Sequence, residues 1–250
     1  MDPSSPFRVH ATPGDLNVSL GTYICSAAAA AIAERGHFVL FTSGGSLPAS
    51  LASSLAWAAG SGLDLQTSLW HIFYADERHV ALTSSDSNHA ATLAALGTAP
   101  WFQARLHPID PALPLPACAA AYQAELQAVL AGTGGGIDLV LLGMGPDGHT
   151  ASLFPGHALL QEGQLLVAPI ADSPKPPPSR VTLTLPAINA SARVAFVALG
   201  EAKAPLVAAI AQGTPEAKAL PAAMVRQATG PATWFLDAAS AQALPKQQGN

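Results

Sequence analysis

The six residues from Ile137 to Leu142, IDLVLL, are apolar on both parities and run straight into a glycine. A strand with one face in water alternates apolar and polar residues, so a run of this kind suits a strand covered on both faces. The rest of the chain repeats the arrangement. His37 to Phe41, Leu69 to Tyr74, Leu165 to Ile170, Val181 to Leu185, Val194 to Leu199 and Ala232 to Leu236 read as further strands. Asp15 to Arg35, Leu47 to Ala59, Ala117 to Ala131 and Glu201 to Ala211 read as helices. Gly36 stops the first of these, and Pro48 sits in the first turn of the second, where a missing N–H costs nothing. Alternation of this kind predicts an α/β fold with a mostly parallel sheet and helices on both sides.

The 250 residues are expected to form a single domain, 1–250, with ends 1–10 and 244–250 flexible. The glycine run Gly132 to Gly136 reads as a loop and Ser173 to Pro178 as a stiff surface connection. Strands of the same character flank both, so neither divides the chain. With 50% hydrophobic and 11% charged residues, intrinsic disorder is excluded. The net charge is −5 and no Lys/Arg run occurs, so no nucleic-acid footprint is present. The richest apolar stretch, Ala27 to Ala33, is too short to span a bilayer and ends in Glu34-Arg35. Cys25 and Cys118 form no CxxC, and the N-terminus has no basic head before an apolar run. A soluble cytoplasmic protein is expected, with no membrane, nucleic-acid or obligate protein partner.

Four segments carry chemistry. Thr42-Ser43-Gly44-Gly45-Ser46-Leu47-Pro48 joins a strand to a helix, where glycines let the backbone approach an anion and free N–H groups point at it. It suits a phosphate or an ordinary tight turn, and it lacks the lysine of a Walker loop. Asp76-Glu77-Arg78 follows a buried strand at the sheet edge where ligands bind. In extended backbone Asp76 and Arg78 face one way and Glu77 the other. These charges serve a site or a solvated strand end. Gly143-Met144-Gly145-Pro146-Asp147-Gly148 matches GxGxxG, but Pro155-Gly156 cuts off the long helix that a dinucleotide site needs. What remains is His149 on a glycine-freed loop, a side chain suited to general-base work near neutral pH. Asp147 either orients His149 or caps the turn that starts at Gly148. Finally, Arg180 opens a strand, and Lys203 sits in a helix's first turn, where a cation opposes the dipole unless it reaches an anion or bends to solvent.

No metal or cofactor is expected: the eight histidines are scattered, with no HExxH and no thiolate cluster. No GxSxG elbow occurs either.

Taken in order, SGGSLP at Ser43 to Pro48, ADERHV at Ala75 to Val80, DSNH at Asp86 to His89, GMGPDGHTASLFPGH at Gly143 to His157, RVTLTLPAINAS at Arg180 to Ser191 and GEAKA at Gly200 to Ala204 carry a resemblance. The chain resembles the 6-phosphogluconolactonase family. That resemblance implies a Rossmann-like three-layer sandwich of the phosphosugar isomerase/lactonase type, without a dinucleotide. It also implies hydrolysis of 6-phospho-glucono-1,5-lactone to 6-phosphogluconate, the second step of the oxidative pentose phosphate pathway. By similarity His149 would be the general base and then the acid for the leaving ring oxygen. Asp76 and Arg78 would orient substrate and water, with Arg78 stabilising charge at the carbonyl. Gly44, Gly45, Ser46, Arg180 and Lys203 would hold the phosphate.

Leu47 stands where the family usually has a hydroxyl residue, which puts one phosphate hydrogen bond in question. The wider superfamily includes glucosamine-6-phosphate deaminase, which would show DEY and an IAFNEP-like continuation in place of DER and TASLFPG. A non-catalytic phosphosugar sensor would keep Arg180 and Lys203 but need no DGH.

Overall fold

The computed structural model describes residues 5–245. In chain order the strands are β1 Phe7–His10, β2 Phe38–Thr42, β3 Trp70–Tyr74, β4 Asp76–Arg78, β5 Arg105–Leu106, β6 Leu139–Leu142, β7 Val167–Ile170, β8 Arg180–Leu183, β9 Arg193–Ala198, β10 Arg226–Gln227, β11 Gly230–Pro231 and β12 Thr233–Asp237. The main helices are α1 Pro13–Arg35, α2 Leu47–Gly60, α3 Asn88–Leu96, α4 Leu115–Thr133, α5 Leu185–Asn189 and α6 Ala204–Gln212. A seven-stranded sheet runs in the order β1-β12-β9-β6-β2-β3-β5. Every pairing in it is parallel.

The two-parity pattern has the predicted consequence. In β2, Phe38 and Leu40 pack on the face covered by α1 and α2, while Val39 and Phe41 pack on the face covered by α4 and α6. Leu139 and Leu141 divide from Val140 and Leu142 in the same way. Each fully buried Leu or Phe contributes about 1.5–3 kcal/mol, so Leu40→Ala in this packed layer should cost about 2–5 kcal/mol.

Helix α1 starts at a capping box. Thr12 Oγ1 accepts from Asp15 N at 3.1 Å and Asp15 Oδ2 accepts from Thr12 N at 3.2 Å. It ends at Gly36, whose φ of 78° is the left-handed value that glycine adopts without strain. By length and composition α1 could cross a membrane. Its Leu16, Leu20, Ile24, Ala27, Ala28 and Ala31 are instead buried in the layer beneath α2.

Two expectations need correcting. Residues 7–10 are not a loose end: β1 pairs with β12 from Phe7↔Trp234 to His10↔Asp237 and takes one edge of the sheet. Residues 1–4 and 246–250 lie outside the described residues. Second, β7 and β8 do not join the parallel sheet. They form an antiparallel sheet with β4, in the order β4-β8-β7. Ala75 makes the junction, its N–H donating to Thr42 O and its carbonyl accepting from Leu183 N, each at 2.7 Å. A short apolar run specifies a strand but neither its partner nor its direction. The second sheet carries Asp76, Arg78 and Arg180 to the end of the first.

Candidate active site

After β2 the chain runs outward through β3 to β5. It then returns to β6 on the other flank of β2 and runs outward again through β9 to β12. Loops leaving β2 and β6 therefore diverge, and a crevice opens at the carboxyl ends of those strands. A cavity of about 250 Å³ lies there. Gly44, Gly45, Ser46, Asp76, Arg78, His149, Arg180 and Lys203 all line it. Asp147 is not in the wall but is bonded to His149 from behind.

His149 is held by its own loop. Gly145 N donates to His149 O at 2.8 Å, and Thr150 Oγ1 donates to Gly143 O at 2.8 Å. A Cβ on Gly145 would stand 2.0 Å from the imidazole, so only glycine lets the ring lie there. The ring packs on Phe154 with centroids 4.8 Å apart. A turn and a Thr150↔Leu153 bridge follow Gly148 in place of a long helix. His149 Nδ1 is 2.5 Å from Asp147 Oδ1. An ionised carboxylate only accepts, so Nδ1 carries the proton and Nε2 keeps its lone pair. Burial pushes the imidazole below its ordinary pKa, and the Asp147 carboxylate pulls it back in part. Burial works against the Asp147 carboxylate too, but His149 and Lys175 outweigh it and hold Asp147 at about 2.

Asp76 and Arg180 are 5% and 3% exposed, so their charges need partners. Asp76 Oδ2 accepts from Ser152 Oγ at 2.8 Å and lies 3.8 Å from Arg180 Nη1. Glu77 turns away from the cavity, as the alternation requires. Its carboxylate accepts from the backbone N–H groups of Arg78, Asn88 and His89 and from Ser87 Oγ, which ties β4 to the start of α3. Burial raises its pKa against those donors. Arg78 Nη1 donates to Asp86 O at 2.6 Å, while its Nε is buried without a partner.

Other parts of the wall suit an anion. Ser46 occupies the N-cap position of α2 and makes no side-chain capping bond. Gly44 allows close approach of α3: a Cβ there would meet Asn88 Oδ1 at 2.0 Å. Leu47 is buried in the layer shared with α1, so its side chain supplies packing and no hydroxyl. Lys203 ends a 3₁₀ turn that leads into α6. Burial, then the charge of Lys175, lowers its pKa, with Asp147 opposing.

Sequence reasoning missed several residues. Ser43 lines the cavity with its Oγ buried and unpartnered, and it is the first letter of the glycine motif. Ser152 and Asn88 both bond Asp76 and lie inside the TASLFPG and DSNH segments. Lys175 has no local signal, since its proline-rich surroundings read only as a connection.

The family description "Glucosamine-6-phosphate isomerases/6-phosphogluconolactonase" matches residues 11–234. This chain belongs to that family. It is 44% identical over 239 residues to 6-phosphogluconolactonase of Rattus norvegicus, covering 94% of this chain and 92% of the rat protein. To the Homo sapiens protein of the same name it is 41% identical, with the same coverage. Among solved structures, 6-phosphogluconolactonase from Thermotoga maritima superposes with TM-score 0.77 at 27% identity, covering 92% of this chain and 98% of that one. A monomeric glucosamine-6-phosphate deaminase superposes with TM-score 0.74 at 18% identity, covering 95% and 99%, and shares the fold.

Proposed function

We propose that this chain hydrolyses 6-phospho-D-glucono-1,5-lactone to 6-phospho-D-gluconate, the second step of the oxidative pentose phosphate pathway, with His149 as general base. The observation that carries the reading is an imidazole bonded through Nδ1 to Asp147 and lining a cavity that also gathers Gly44, Gly45, Ser46, Arg180 and Lys203. Gly44, Gly45 and Ser46 receive the 6-phosphate with Lys203, and Arg180 adds its charge from the wall. His149 Nε2 takes a proton from water as the water oxygen bonds to C1. Arg78 stabilises the negative oxygen that develops. When the C1–ring oxygen bond breaks, the proton on His149 passes to the leaving oxygen, so water is added across the ester and the base is restored. Asp76, fixed by Ser152 and Arg180, orients water and substrate. A lactone is an activated ester, so no covalent nucleophile is called for.

Freshly generated lactone should be consumed well above its spontaneous rate, followed as acid release or as 6-phosphogluconate formed. No acceleration, with ammonia released from glucosamine-6-phosphate, would move the assignment to the deaminase.

A further inference from the structure

Lys175 lies outside the cavity wall, yet its Nζ is 3.2 Å from Asp147 Oδ1 and 3.1 Å from His149 Nδ1. A lysine on a proline-rich surface loop ordinarily leaves its ammonium in water. Here the loop is fixed. Ser173 Oγ donates to Lys175 O at 2.9 Å and accepts from Lys175 N at 3.2 Å. Arg180 Nη2 donates to the carbonyls of Lys175 and Pro176, and its Nε to Pro177 O, each at 3.0 Å. The guanidinium beside Asp76 thus spends most of its donors on the backbone that presents Lys175.

Nδ1 of one imidazole faces both a carboxylate and an ammonium, and it cannot donate and accept at once. Asp147 can only accept and Lys175 can only donate. Both are satisfied when Nδ1–H and Lys175 each donate to Asp147 Oδ1. We propose that Lys175 is a positioning residue for the base: it holds Asp147 as acceptor for Nδ1–H and disfavours the imidazolium by its own charge. The inference rests on the general-base reading of His149. Asp147 and Lys175 contact the ring, and the charge of Asp76 also reaches it. Arg78, Arg180 and Lys203 line the same cavity. Arg180 lies over the Phe154 ring on which His149 packs, and Lys203 is close enough to feel Lys175 and Asp147. Burial is the main cause of the ring's lowered pKa; among the charges, Asp147 and Asp76 favour the imidazolium and Lys175 opposes it.

The test compares wild type, Lys175→Met and Lys175→Arg by NMR titration of the His149 ring without substrate, and by the pH profile of kcat. Removing the charge should move the His149 inflection to higher pH, and arginine should return it toward wild type. On the acid limb kcat of Lys175→Met should fall about two- to five-fold, the size of a partly exposed charge pair, with KM unchanged and the alkaline plateau kept. A loop with only a structural role would lower kcat at every pH and leave the inflection in place. An unmoved or lowered inflection in Lys175→Met overturns the proposal, as does an arginine variant that behaves like methionine. The titration reads the free protein, so it decides the role of Lys175 even if lactone hydrolysis fails.

Discussion

The molecule holds histidines at both ends of its parallel sheet, and the two ends use them differently. His149 stands at the carboxyl end of β6 with Asp147 behind it and a cavity in front. Near the start of β3, His71 Nδ1 meets His107 Nε2 at 2.9 Å, His107 Nδ1 meets Glu125 Oε1 at 2.7 Å, and the His37 ring lies 5.6 Å from that of His71. Burial lowers the pKa at both ends, but the neighbours differ in sign. Burial, then His107, His37 and Arg105, all push His71 the same way, down to about 4. At His149 a carboxylate opposes burial. A buried histidine whose neighbours all oppose its charge stays neutral and is inert toward protons near pH 7. One backed by a carboxylate can accept a proton and return it.

The largest effect expected from this contrast is on kcat. His149→Asn removes proton transfer and should cost about 10²–10⁴-fold, the usual worth of a general base. His71→Asn should leave kcat nearly at the wild-type value. Equal losses in the two variants would erase the distinction and return the base assignment to Asp76.

The anion cradle provides the next effect. A charge-assisted contact contributes about 1.5–3 kcal/mol, so Lys203→Ala should weaken binding of 6-phosphogluconate about 10- to 150-fold in a calorimetric titration. Because the phosphate sits away from the reacting carbonyl, the loss should fall on binding more than on kcat. Wild-type affinity in this variant would remove Lys203 from the cradle.

Much of this arrangement can be read from the chain, for identifiable reasons. A run such as IDLVLL encodes a two-faced strand by composition alone, and the DGH loop shows itself because Asp147 and His149 stand on a glycine-freed loop directly after that buried strand. The antiparallel pairing of β4 with β8 is not written locally, since register and direction arise from the junction at Ala75. The two-residue β5 is too short to give a periodic signal, and β1, although FRVH alternates, is fixed by a pairing with β12 that is not written locally. Arg180 is legible as a charge opening a strand, but its partners are the carbonyls of a loop that reads only as punctuation. Lys175 is hidden for the same reason: its distance from His149 is set by that clamp, not by spacing along the chain.

The smallest effect is thermodynamic and belongs to the other end of the sheet. In the unfolded chain a histidine takes up its proton near pH 6.5, whereas folded His71 does so only near 4. Between these values the unfolded state binds more protons, so stability falls as the pH is lowered through that window. His71→Phe should remove this contribution and flatten the decline in melting temperature between about pH 6.5 and pH 4.5, by degrees rather than tens of degrees. For a chain of this size each kcal/mol corresponds to about 2–4 °C. The hydrogen bond lost to His107 lowers the level of the curve more than its slope, so the slope is the quantity to compare. Glu77, whose raised pKa acts with the opposite sign, is present in both proteins and cancels from the difference. Parallel melting curves for wild type and His71→Phe would mean that His71 titrates in the fold as it does in water, and the contrast with His149 would then rest on the cavity alone.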